Sequence, residues 1–392
     1  MHTVTHILRD VCVWTALIAG LAVACVARSS SVVEPEVLAR IAHPRPVTIR
    51  RHDLTAGITE PRAGRRFAAA VRVEAERAGA QETRFVVYAP DDTMRPLATR
   101  VARFLGLLWA YADTRFRVLS PRLRSGVASV WLCRDGSGGA EQSRDAIHIY
   151  EASADRSDLE WARTLAHEYG HYLLPGPSGY AEPEPWSNGI LGERLFLGWL
   201  RDDIRAGVLP ASDSVYLTAD TANEYHAKQV EPLVERIARR GVDRALIDDR
   251  GRRGMDEAIA LLLYAARLHG TNALADMLDW LPTRTGRQAT GSDYLSAYEA
   301  WLGGSDLFRH GSLAPTGDPT GTARESYRAY IPSGSWRVQV CGRRLVSVEG
   351  CVVKPADDGW LVQARASAWR RVELDGPPVT GEQIVWTKDR SR

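Results

Sequence analysis

The sequence predicts an α+β protein of 392 residues: a mixed sheet supporting one functional helix, then a helical subdomain, then a small antiparallel β-domain. Three observations carry this. Strand-like runs alternate with a single long helical pattern before residue 152. From about Gly189 to Leu302 the apolar residues recur at the helical period with no strand pattern between them. Beyond Trp336, short runs rich in Val, Leu and Trp are divided by Gly, Asp and Pro, the spacing of antiparallel strands. The predicted division is a leader over 1–27, a linker or loose segment over 28–66, a main domain over 67–305, a linker over 306–333 and a β-domain over 334–392.

In chain order, residues 84–89 (R-F-V-V-Y-A) are strand-like, and Pro90-Asp91-Asp92 leads into a helix over about 94–112 with Leu97, Val101, Phe104, Leu105, Leu108 and Tyr111 on one side. Strands follow at 126–133 and 146–151, separated by a Gly/Ser-rich loop. In the second strand Ile147 and Ile149 alternate with His148 and Tyr150, which puts His148 on an open face. Helices are expected at about 222–239 with a kink at Pro232, at 255–269, 273–281 and 293–302. The four tryptophans Trp336, Trp360, Trp369 and Trp386 of the tail suit either a β-core or a binding platform.

Charge and composition narrow the function. Fifty basic and 48 acidic residues nearly cancel and are interleaved, so nothing marks a nucleic-acid binder. The first residues are a leader: Arg9, an apolar run over 11–27, then Arg28 and serines, with Ala22-Val23-Ala24 as a cleavage site before Cys25. Export by cleavage, lipidation at Cys25 or retention as a membrane anchor are three readings of it. All place the chain outside the cytoplasm, in a periplasmic, extracellular or envelope-anchored position. In such a compartment Cys341 and Cys351 can be joined across a hairpin, leaving Cys133 as a small buried hydrophobe.

The chemistry concentrates at 157–176, S-D-L-E-W-A-R-T-L-A-H-E-Y-G-H-Y-L-L-P-G. Ser157 and Glu160 form a capping box, Pro175-Gly176 is the stop, and Leu159, Ala162, Leu165, Ala166, Tyr169 and Leu173 are an apolar stripe. On that helix His167 and His171 share a face, two imidazoles for Zn2+, with Glu168 as the carboxylate that works on water. A strand just ahead of this helix would pair its edge with an extended peptide. A catalytic zinc site needs a third protein ligand. Glu182 and Glu184 lie in a Pro-rich loop, ill suited to the tight tolerance of a metal site. Glu193 lies in an apolar helix beside Gly192, whose missing side chain lets two helices approach, and is favoured. The competing reading of Glu193 is a carboxylate paired with an Arg.

The run W-A-R-T-L-A-H-E-Y-G-H, preceded by a strand and followed by P-W-S-N-G-I-L-G-E-R-L-F, resembles the gluzincin metallopeptidases, and within them the peptidase MA-like proteins. The later L-L-L-Y-A-A-R-L-H-G-T-N-A-L-A-D-M-L resembles the helix pair that ends their catalytic domain. The resemblance covers about 84–302 and implies a zincin-like domain with Zn2+ on His167, His171 and Glu193, Glu168 as general base, and a protein or peptide substrate. Tyr225 or His226 is the expected oxyanion donor. A second class of reading is a non-catalytic cell-envelope binding or scaffold protein on the same fold; the intact Glu168 argues against it.

Overall fold

The computed structural model describes residues 36–37, 47–77, 80–116, 126–136, 139–173, 177–210, 214–281, 289–311, 313, 325–340, 342–376 and 383–390. The leader at 1–27, the helix stop at Pro175-Gly176 and Cys341, hence its pairing with Cys351, lie outside them.

Among the described residues a mixed seven-stranded sheet comes first: β1 (Glu36–Val37), β2 (Val47–Thr59), β3 (Arg66–Arg77), β4 (Ala80–Ala89), β5 (Ala128–Leu132), β6 (Ala140–Ser143) and β7 (Ala146–Ile149). Their spatial order is β1-β2-β3-β4-β5-β7-β6. β4, β5 and β7 run parallel, and β6 returns antiparallel along β7. Between β4 and β5 the chain crosses over through helix α1 (Arg95–Tyr111). Leu97, Val101, Phe104, Leu105 and Leu108 of α1 are buried against β3 and β4, each contributing roughly 1.5–3 kcal/mol of burial.

Two expectations change here. Residues 28–66, read as a loose segment, contain the 13-residue strand β2, paired with β3 from Val47↔Ala75 to Thr59↔Arg66. The charged and polar run Arg50-Arg51-His52-Asp53 breaks its apolar alternation, so its partner strand rather than its own pattern makes it a strand. The residue next to it, Glu60, is fully buried and holds His148, Nε2 to Oε1 3.0 Å. His148 is therefore enclosed instead of lying on an open face. It belongs to the small second core behind the sheet, where Trp131 packs on Phe67 and Tyr88 and Cys133 is buried.

Helices α2 (Asp158–Gly170), α3 (Asn188–Arg205), α4 (Ala219–Gln229), α5 (Glu231–Arg240), α6 (Arg252–His269), α7 (Asn272–Leu278) and α8 (Gly291–Gly304) follow. The expected kink at Pro232 is a complete break at Val230, with Pro232 in the first turn of α5, where its missing N–H costs nothing. No described helix is long and apolar enough to cross a membrane.

The β-tail forms two antiparallel sheets. One has the order β12 (Val352–Ala356), β13 (Gly359–Ala364), β10 (Gly334–Val340), β15 (Gln383–Lys388), β8 (Leu307–Gly311); the other is β11 (Arg344–Val348), β14 (Ala368–Asp375), β9 (Glu325–Ile331). β8 and β9 thus come from the stretch 306–333 expected as a linker. They bind the tail to the helices: α6 packs on β8 and α5 on β9, Trp369 stacks on Tyr298 at 5.7 Å, and its indole N–H donates to Glu299 at 3.2 Å. Trp336 and Trp386 are fully buried and join the same continuous core as α1 and α6. The tail's tryptophans are thus core rather than a platform at those two positions.

Candidate metal site

Helix α2 starts as its sequence dictates. Ser157 Oγ accepts from the Glu160 N–H at 3.3 Å, and Glu160 Oε2 accepts from the Ser157 N–H at 3.0 Å. Trp161, Ala162, Leu165, Ala166 and Tyr169 then face the core. The helix proper ends at Gly170 and tightens through i→i+3 bonds, Tyr172 N to Tyr169 O and Leu173 N to Gly170 O, both 3.0 Å. His171 is the cap residue and keeps helical angles, so it stays on the face of His167. Their rings sit edge to face with centroids 5.1 Å apart.

What brings a second helix to these imidazoles is glycine. A Cβ on Gly192 would lie 2.3 Å from the Gly170 Cα, and one on Gly170 would lie 2.9 Å from the carbonyls of Asn188 and Gly189. α2 and α3 therefore meet backbone to backbone, the close approach expected at Gly192. That contact seats the first turn of α3 over the histidines. Asn188, 2% exposed, bridges His171 twice: its Oδ1 lies 2.9 Å from Nδ1, and its Nδ2 donates to the His171 carbonyl at 2.9 Å. With Nδ1 so engaged, the His171 lone pair sits on Nε2. At Gly189 a Cβ would stand 2.6 Å from His167 Nε2 and 2.7 Å from His171 Nε2; glycine keeps that space clear.

The third member of the cluster is Glu184. Its Oε2 is 3.2 Å from His167 Nε2 and 3.7 Å from His171 Nε2, and one ligand atom from each of the three lies within 4.8 Å of the others. The preference for Glu193 gives way on geometry. Glu193 Oε1 accepts from Arg163 Nε and from the Tyr225 hydroxyl, each at 2.7 Å, while Oε2 stands 3.6 Å from His167 Nδ1. It is the Arg-paired carboxylate of the competing reading, set behind His167 on the side away from Nε2. The objection to the Pro-rich loop also falls, because that loop is fastened. Ser178 and Trp186 form a β-bridge, Ser187 N bonds Pro177 O at 3.0 Å, Ala181 N bonds Arg250 O at 2.7 Å, and Arg250 Nε bonds Gly179 O at 3.0 Å.

The donor set fits a divalent cation. Two imidazole nitrogens and one carboxylate are a metal-ligand chemistry, the other Glu184 oxygen is buried without a hydrogen-bond partner, and a side chain at Gly189 would fill the space. The charges agree. Burial opposes protonation of His167, yet hydrogen bonds to Glu184 and Glu193 push it up to about 10, so positive charge is wanted there. Burial likewise opposes ionisation of Glu193, but hydrogen bonds from His167 and Arg163 hold it below its ordinary value.

Glu168 lies beside the cluster, 5% exposed, with Oε2 buried and unpartnered. Burial pushes its carboxyl up to about 7, with His167 opposing and Glu184 adding to the rise. It lines a cleft of about 420 Å³ with His167, Thr164, Arg163, Gly139 and Ala140. One wall of the cleft is thus β6, the terminal strand of the sheet. The expected edge strand at 146–151 is interior, flanked by β5 and β6; A-E-Q-S at 140–143 has no apolar alternation to announce it. Tyr225 reaches the site through Glu193. His226 does not: its Nδ1 pairs with Glu231 Oε1 at 3.1 Å, and it lines a separate cavity of about 150 Å³ on the other side of α3. Nothing in the spacing of the sequence marks Asn188, Gly189 and Arg163, because their roles depend on the α2–α3 crossing.

Compared with known families and curated proteins, the chain matches no family model and no curated protein.

Proposed function

We propose that this chain is an exported zinc metallopeptidase with a gluzincin ligand set and a zincin-like catalytic domain, hydrolysing peptide bonds with Glu168 as general base. The observation that carries the reading is the convergence of His167, His171 and Glu184 beside a buried, unpartnered carboxylate in a cleft. Zinc bound there supplies a Lewis acid and a water of pKa near 7. The protein residues do the rest. Asn188 fixes the His171 ring, and Glu193 stands behind His167. Glu168, held near neutrality, takes a proton from the attacking water and delivers it to the leaving amine. β6 offers its free edge to an extended peptide, whose main chain it would hold across the cleft. Tyr225, whose hydroxyl burial and Glu193 keep protonated, would serve the developing oxyanion only by releasing its hydrogen bond to Glu193. The apolar leader accounts for export.

The test is zinc content and peptide cleavage by the purified chain, wild type against Glu168→Gln. Stoichiometric zinc in both with cleavage only by the wild type is the expected result. Equal behaviour of the two proteins would favour the binding or scaffold reading instead.

A further inference from the structure

A second cavity of about 310 Å³, which shares Arg163, His167 and Glu193 with the cleft, forms a lobe lined among others by Glu184, Tyr225, Gln229, Arg194 and Arg252. Arg194 follows Glu193 on α3, is 5% exposed, and borders both this lobe and the cavity beside His226. Its Nη1 is shut off from solvent and has no hydrogen-bond partner among the described residues. The carboxylates around it are engaged elsewhere: Glu193 by Arg163 and Tyr225, Glu184 by the histidines, and Asp256 by Arg252 at 3.3 Å. The groups whose charge Arg194 feels, Tyr225, Asp256, Glu193 and Arg252, are mostly those of this lobe.

A guanidinium keeps its charge in proteins, and a buried charge without a partner is costly. No described residue hydrogen-bonds Arg194 Nη1, so an incoming acceptor can, and the planar fork of Arg matches a carboxylate in two parallel hydrogen bonds. Arg252, half exposed at the rim, adds a second positive group. We propose that this lobe is a carboxylate subsite, so that the substrate presents a free C-terminal carboxylate or an acidic side chain next to the scissile bond. The proposal rests on the peptidase reading for its substrate but not for its binding chemistry.

The experiment uses the full chain carrying Glu168→Gln and three fluorescent hexapeptides of one neutral sequence: the C-terminal amide, the free acid, and the amide with one internal Glu. Anisotropy should give at least one carboxylate peptide a Kd about tenfold or more below that of the neutral amide, as charge-assisted hydrogen bonds allow. Preference for the free acid alone assigns the subsite to a chain end; preference for the Glu peptide assigns it to a side chain. Adding Arg194→Met should abolish the preference and Arg252→Ala should reduce it. Should Arg194→Met fail to fold, Arg252→Ala and competition by glutarate against glutaramide decide the matter. Equal binding of all three peptides, no binding of either carboxylate peptide, or a preference that survives the substitutions, overturns the proposal. Carboxylate preference without cleavage by the Glu168 protein sinks the peptidase reading alone, and cleavage without preference sinks the subsite alone.

Discussion

Glu184 and Glu193 lie nine positions apart in sequence and on opposite sides of the His167 ring, so their substitutions should separate. Glu184→Ala removes the carboxylate of the cluster and, on the proposed ligand set, should empty the site under dialysis against a weak chelator. Glu193→Ala removes a group behind His167 and should weaken metal binding by about 10–100-fold, the usual cost of an outer partner. If Glu193→Ala strips the metal while Glu184→Ala keeps it, the ligand assignment is wrong. Gly189→Ala tests the same centre from the other side: its methyl would stand 2.6 Å from His167 Nε2, so metal content should fall while the far-ultraviolet spectrum is kept. Glu168→Gln should leave metal in place and lower kcat by roughly 10²–10⁴-fold, the range for a general base.

Among the elements, the pair α2 and α3 does most to make the site. Its contact depends on two glycines, and Gly192→Ala would force apart two backbones now in direct contact. Overpacking of this kind costs about 1–3 kcal/mol; urea unfolding should report that loss, and metal affinity should fall with it because Asn188 and Gly189 move away from the histidines. An unchanged midpoint would mean the helices can separate freely. At the start of α2, Ser157→Ala removes the acceptor of the capping box and should cost about 1 kcal/mol with no effect on the metal once folded. α2 ends at Gly170, the residue at which it meets α3.

For the molecule as a whole, the junction between helices and tail has an acid-sensitive residue. His310 on β8 is fully buried, with Nδ1 3.0 Å from the Tyr327 hydroxyl, and burial together with neighbouring His269 holds it well below the usual imidazole range. In the unfolded chain it titrates near pH 6.5. The unfolded state therefore takes up this proton first, so stability is full above about pH 6.5 and falls as the medium becomes more acid. The loss approaches about 1.4 kcal/mol per pH unit. Urea midpoints at pH 7 and pH 5 should fall closer together in His310→Gln than in the wild type; an identical acid loss in both would remove His310 from the account.

The sequence by itself determined what is local. The capping box, the shared face of His167 and His171, the position of Glu168 beside them, and the apolar faces of α1 and α6 follow from spacing within one segment, since helix and strand geometry fix where residues a few positions apart must point. Only the tertiary structure decided what depends on distant partners. Residues 47–59 became a strand because β3 offered an edge, and 140–143 became the terminal strand because β7 did. The stretch 306–333 supplied β8 and β9 because α6 and α5 needed cover. The third member of the cluster came from a loop held by Arg250, some 66 positions beyond Glu184. A metal site is a condition on atoms within a few ångströms. Spacing along the chain can meet it for two ligands on one helix, but a third depends on how the remaining segments pack.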